Sequence, residues 1–176
     1  MTTGLTLDDL QRPARAVPRL ADVARLGLDR EAERPYLRDI VDEVAVRLDA
    51  PFALVDVLLN TAQIFIAEHG ERPEWLLESG GTPMEWAFCL PMMTTRAPHA
   101  VADFAADPLF RDSPLVTVVG LRSYAGAPLI SHAGHVLGGL CVLDVKPRRF
   151  GPEELLWLQE RAAEAVERIE ERAAGD

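Results

Sequence analysis

The 176 residues carry 28 acidic against 18 basic side chains, a formal charge of −10, and 48% of them are apolar, which suits one globular domain with its own core. That balance, with no run of Lys or Arg, excludes a surface built to release counterions from nucleic acid, and equally one drawn to an anionic membrane. No stretch reaches the ~20 apolar residues of a membrane span, and Met1 to Leu10 has neither a basic end nor an apolar signal core, so a cytoplasmic protein is expected.

Residues 1–17 hold Pro13, with Pro18 just beyond, two arginines and little periodicity. They read as an arm or short helix outside the core, followed by a single domain over 18–176. Between Asp29 and Leu48, the apolar residues Leu37, Ile40, Val41, Val44 and Leu48 recur on one helical face. Asp49-Ala50-Pro51 ends that helix, since proline disfavours the helical conformation in the residue before it. Phe52 to Leu59 is almost continuously apolar and reads as a strand covered on both sides, interrupted only by Asp56. Ala62 to Glu68 is its hairpin partner across Asn60-Thr61.

From Glu71 to Pro114, six prolines cut the chain into short pieces. A helix is predicted from Met84 to about Thr94, kinked or shortened by Pro91, with a short strand at His99 to Ala102 after it. Leu121 to Ile130 and His135 to Leu143 are apolar runs joined by Ser131-His132-Ala133-Gly134, and they should pair as an antiparallel hairpin. Pro152 with Glu153 and Glu154 opens a last helix that runs to about Ala173. The order helix, two strands, irregular middle, three strands and helix gives an α+β domain with an antiparallel sheet.

Against that framework, three stretches resemble the GAF domain family. Val101-Ala102-Asp103 with Asp107-Pro108-Leu109-Phe110 is similar to its V-x-D…D-P-x-F segment. Leu121-Arg122-Ser123-Tyr124-Ala125-Gly126-Ala127-Pro128-Leu129 is similar to its R-x-Y-A-G-x-P-L strand. Gly134, Leu137-Gly138-Gly139-Leu140-Cys141-Val142-Leu143-Asp144 and Pro147-Arg148-Arg149-Phe150 resemble G-x-x-L-G-x-L-C-V-x-D…P-R-x-F. Gln63, Gly70 and Cys89 also fall where many bacterial members carry such residues, so the resemblance covers roughly Glu31 to Ile169. It implies a six-stranded antiparallel sheet with helices on one side and a ligand pocket on the other, roofed by loops and short helices. Members of the family bind cyclic nucleotides, tetrapyrroles, haem or other small molecules, or only dimerise and relay a signal, so the residues must choose among these.

The ligand-binding candidates are Trp86, Phe88, Cys89, Met92, Asp103, Phe104, Tyr124 and Asp56. The aromatic and methionine members suit a mostly apolar pocket, or equally an ordinary core. Asp103 and Tyr124 supply polar contacts, although a structural pairing of Arg122 with Asp103 or Asp107 is the simpler reading of that arginine. Asp56 stands out because a carboxylate in a central apolar strand costs stability unless it is paired or faces a pocket. Cys89 is followed by leucine, whereas the bilin-bearing relatives have a cysteine commonly followed by histidine, which argues against a covalent bilin. Both Cys89 and Cys141 lie in apolar surroundings where thiols are usually inert. A redox pair between them, or a reductase of the free methionine sulfoxide type, would require that they meet. His132 and His135 flank a turn as solvated residues, with no metal-ligand spacing, and His99 is the one histidine kept as a haem-ligand candidate.

No nucleophile-base pattern or phosphate loop is present, since Gly138-Gly139 lies inside a strand and lacks a following Lys-Ser or Lys-Thr. The expectation is therefore a non-enzymatic sensory or regulatory domain that binds a small molecule. A ligand-free interaction module is the alternative, and a redox or haem protein the outlier. On the last helix Leu155, Leu158, Ala162, Val166, Ile169 and Ala173 form a stripe that packs on the sheet or on a second copy, and a homodimer through the terminal helices is expected. With no effector domain read after that helix, a signal would pass through contact with a partner protein.

Overall fold

A computed structural model describes residues 4–30, 34–71 and 81–175. Its centre is a six-stranded antiparallel sheet in the order β3-β2-β1-β6-β5-β4. The strands are β1 (Phe52–Leu58), β2 (Ala62–His69), β3 (Gly81–Pro83), β4 (His99–Val101), β5 (Ser123–Ile130) and β6 (Val136–Asp144). The helices are α1 (Leu7–Gln11), α2 (Val17–Arg25), α3 (Arg38–Arg47), α4 (Leu90–Thr95), α5 (Pro114–Thr117) and α6 (Pro152–Ala174). The two most apolar runs, β1 and β6, pair at the centre, with Val55 opposite Leu140 and Asp56 opposite Gly139. The β5–β6 hairpin turns at Ser131 to Gly134, where Gly134 adopts a φ of 90° that a side chain would strain.

Strand alternation divides the core in two. Ala53, Val55, Val57, Ala125, Ala127, Leu129, Leu140 and Val142 face α2, α3 and α6 and meet Val23, Ile40, Val44, Leu158, Ala162 and Ile169. The other face carries Leu54, Tyr124, Cys141 and Leu143 against Phe88, Phe104 and Phe110 of the irregular middle. The apolar stripe of α6 is thus spent on its own sheet. Leu158, Ala162, Val166 and Ile169 are buried there, while Leu156 on the outer face is 59% exposed.

Several boundaries differ from the sequence reading for identifiable reasons. The helix expected from Asp29 begins as helix only at Arg38, because Pro35 opens a 3₁₀ turn and Arg34 before it is extended, as a proline requires of its predecessor; residues 31–33 lie outside the described residues. The helix expected over Met84 to Thr94 is two pieces, a 3₁₀ turn at Met84–Trp86 and then α4. Pro91 sits in the first turn of α4, where its missing N–H is harmless, so it starts that helix rather than kinking it. The N-terminal segment is not peripheral. Leu10 and Ala14 are buried in one cluster with Met84, Leu90, Met92 and Met93, and Pro18 falls inside α2 rather than at a boundary.

One buried charge joins this segment to the sheet. Arg19 of α2 is 3% exposed and has no acidic partner among the described residues. Its guanidinium donates to the carbonyl oxygens of Ala14 at 2.8 Å, Leu58 at 2.5 Å and Val136 at 3.2 Å. It thereby caps the ends of β1 and β6, and burial pushes its pKa down to about 10, which leaves it protonated at neutral pH.

Candidate ligand-binding site

On the sheet face opposite the long helices lies a cavity of about 70 Å³. Leu54, Asp56, Tyr124, Cys141 and Leu143 form its floor, Trp86, Phe88 and Cys89 cover it, and Glu68 to Glu71, at the end of β2 and just beyond it, lie at its more exposed end. The two central strands supply the floor because alternate residues of β1 and β6 point to that face, and the 3₁₀ turn before α4 delivers Trp86 to Cys89 onto it. The walls are apolar, with Phe88 stacked on Phe104 at 4.2 Å between ring centroids and set edge-on to Phe110 at 5.1 Å.

The inner end of the cavity is polar and connected. Asp56 accepts at Oδ2 from Gln63 Nε2 at 2.6 Å and from the Cys89 thiol at 2.9 Å, and at Oδ1 from the Gly139 N–H at 2.8 Å. Thr82 extends the chain by donating to Gln63 Oε1 at 3.1 Å. Burial is the larger influence on Asp56 and raises its pKa from 3.8 to about 6 against the three hydrogen bonds that oppose it. Burial likewise pushes the Cys89 thiol well up, and the neighbouring Asp56 charge pushes it further. Cys141 is raised by the same two causes.

Tyr124 is the exception to this satisfaction. It is 1% exposed, yet its hydroxyl has no hydrogen-bond partner among the described residues. The phenol lies along β5 over Gly126, where a methyl group would stand 2.1 Å from Oη, so the missing side chain at Gly126 makes room for it. Its ionisation is pushed well up, first by burial and then by Cys141, Cys89 and Asp56. The hydroxyl therefore lies within the electrostatic reach of the polar end of the cavity.

Of the residues singled out in the sequence, the structure brings Trp86, Phe88, Cys89, Tyr124 and Asp56 onto the cavity wall. Phe104 stands behind Phe88, and Met92 is buried in the cluster beneath the N-terminal segment. Asp103 does not reach the cavity. It makes a two-pronged pair with Arg122, Nε to Oδ1 and Nη2 to Oδ2 both at 2.8 Å, and accepts from the Ala105 N–H, a role in holding the loop after β4. His99 lies outside the lining, with its ring 6.2 Å from that of Tyr124. Sequence reasoning missed Gln63 as the residue that orients Asp56, and Leu115, Val119 and Leu121 as part of the wall.

His132 and His135 are less free than a turn suggests. Asp22 accepts from Ser131 and meets His135 Nδ1 at 3.1 Å, and Arg25 bridges Asp22 to Glu170. His132 pairs with Glu167 at 2.8 Å. This network fastens the hairpin turn to α2 and α6. No metal-holding group of His, Cys, Asp or Glu occurs among the described residues.

The cavity of about 70 Å³ is below half of the ~150 Å³ that encloses one benzene and far below the 300–1,000 Å³ of pockets for larger ligands. Cys89 is buried and hydrogen-bonded to a carboxylate. Cys89 and Cys141, 2% and 4% exposed and free, should react with an aromatic disulfide reagent at pH 8 more than an order of magnitude more slowly in the native protein than in urea. Fast reaction of either thiol in the native state would revive a redox role.

The GAF domain family model matches residues 34–169. A cyclic di-GMP phosphodiesterase of Pseudomonas aeruginosa is 36% identical over 131 residues, which are 74% of this chain and 21% of that protein, so the chain spans about a fifth of the length of that relative. The GAF domain of a phosphoenolpyruvate-protein phosphotransferase from Coxiella burnetii superposes with a TM-score of 0.65 at 17% identity over 96% of this chain and 94% of that one. A type II free methionine-R-sulfoxide reductase from Thermoplasma acidophilum superposes with a TM-score of 0.60 at 15% identity over 93% and 96%. At these identities the two structures speak for the fold alone.

Proposed function

Since the chain belongs to the GAF domain family, we propose that it is a regulatory domain that senses a small molecule in the cavity between the sheet and the segment Trp86 to Cys89 before α4, without chemistry of its own. One observation carries the reading. An apolar cavity ends on a buried polar cluster with an unpartnered tyrosine hydroxyl, which is the form of a ligand site rather than of a filled core. Against catalysis by cysteine stands the state of the two thiols on the wall. Both thiols are held protonated by burial and by Asp56, and a thiol rather than a thiolate is a poor nucleophile.

Binding in the cavity is read out through protein contact. The outer faces of α3 and α6 carry Val46 and Leu156, 76% and 59% exposed, beside the Arg47–Trp157 contact. The alternative, a ligand-free interaction module, predicts that nothing binds in the cavity. Native mass spectrometry of the chain purified from its own host, with and without gentle collisional activation, separates the two. A bound mass under about 100 Da, lost on activation, is expected from a cavity of this size. A clean chain mass, with no stabilisation by any member of a small-molecule thermal-shift screen, would leave the interaction module.

A further inference from the structure

Resting on the sensory reading, we propose that the cavity takes a small uncharged molecule bearing a hydrogen-bond acceptor, which the Tyr124 hydroxyl engages. Charge is excluded first. Among the described residues the lining includes no Lys or Arg, while it includes Asp56, Glu68, His69 and Glu71, so an anion at the buried inner end would lose its hydration with no Lys or Arg to replace it. Arg19, buried at the adjoining strand ends, has its donors committed to backbone carbonyls. A cation fares no better at the inner end, since Asp56 already accepts from three donors and Glu68 and Glu71 stand at the more exposed end. The polar group left without a partner is the Tyr124 hydroxyl, and a phenol is a better donor than acceptor for a neutral ligand.

Size sets the second limit. A volume of about 70 Å³ accommodates on the order of five non-hydrogen atoms, at ~10–15 Å³ of such volume for each water-sized group. The occupant is then a compact ketone, aldehyde, ester or ether with its apolar part against Phe88, Leu54 and Leu143. Gly126 is the specificity element. Any side chain there would displace the Tyr124 hydroxyl, and with it the donor.

The test is a ¹H–¹⁵N NMR titration of the whole chain with acetone, propane, acetate and methylammonium, for wild type and Tyr124→Phe. Acetone should shift the amides of Asp56, Cys89 and Tyr124 and bind more tightly than the other three. Tyr124→Phe should weaken acetone about five- to tenfold, the size of one hydrogen bond, and leave propane unchanged, which also shows that the variant is folded. Without ligand, the variant should be at least as stable as wild type, because it removes an unsatisfied hydroxyl. Equal binding of ketone and hydrocarbon to both proteins would overturn the acceptor class while leaving the ligand cavity standing. Tighter binding of acetate or methylammonium would overturn the uncharged class. No shift at these amides with any probe would overturn this proposal and the sensory reading together.

Discussion

Substituting Arg19 by methionine is expected to lower the free energy of unfolding by about 4 kcal/mol, read from urea denaturation at pH 7. Methionine keeps much of the apolar stem, so the loss isolates the guanidinium. Arg19 donates to the carbonyls of Ala14, Leu58 and Val136 from a position that is 3% exposed. Each buried acceptor left without a donor costs about 1–3 kcal/mol, and these acceptors are backbone and cannot be exchanged for apolar groups. Arg19→Lys should recover less than half of the loss, because a single ammonium cannot reach the three carbonyls that the planar fork spans. A loss under about 1 kcal/mol, the net size of one ordinary hydrogen bond, would mean that water replaces the guanidinium and that the N-terminal segment is not anchored through it.

The second large effect is a pH dependence that resides in Asp56. Its pKa is raised from 3.8 to about 6 on folding, so the native state holds the proton more tightly than the unfolded chain does. Between those two values the folded protein binds more protons, and stability therefore falls as pH rises. The cost of burying the ionised carboxylate is fully present above pH 6 and is relieved below about pH 4. The rise corresponds to about 3 kcal/mol at 1.36 kcal/mol per unit. In Asp56→Asn that slope is removed, while Asp22, Asp39 and Asp103, whose pKa values are lowered by their partners, contribute equally to both proteins. The stability difference between wild type and variant should therefore change by about 2–3 kcal/mol between pH 4 and pH 7, in the sense that wild type gains on acidification. Parallel pH profiles would place Asp56 at its ordinary carboxylate pKa and the cavity floor in contact with water.

Much of the sheet was legible because β1, β5 and β6 are apolar runs long enough for a strand, and a turn glycine marks their hairpin. Asp56 was legible as an anomaly for the same reason: a charge within such a run needs an explanation. What completes its site was not legible. Gln63 reaches Asp56 because the β1–β2 register slips between Val55 and Asp56, placing Phe65 opposite Asp56 and turning both Ile66 and Ala67 to the helical side. A slip of that kind leaves no periodic trace, since a bulge breaks the alternation on which the reading depends. Asp103 is a different case. It sits in a recognisable stretch beside pocket residues, which makes it a candidate polar contact for a ligand, but its side chain makes the pairing with Arg122 that is the simpler reading of that arginine, since chain proximity does not give direction. The stripe on α6 was visible as a seven-residue repeat, yet the same repeat serves a sheet as well as a second helix, and only the packing decides between them.

The burial of Leu10 and Ala14 with Met84, Leu90, Met92 and Met93 has a bearing on how the molecule breathes. The six residues of α4 are too few to hold their own hydrogen bonds in water, so its persistence depends on being sandwiched between the sheet and the arm that Arg19 fastens. Lifting α4 and releasing the arm are then one cooperative opening rather than two. The segment Trp86 to Cys89 that covers the cavity runs directly into α4, so how freely that cover moves over an occupant is governed from the far side of the helix, by whether residues 7–15 stay in place.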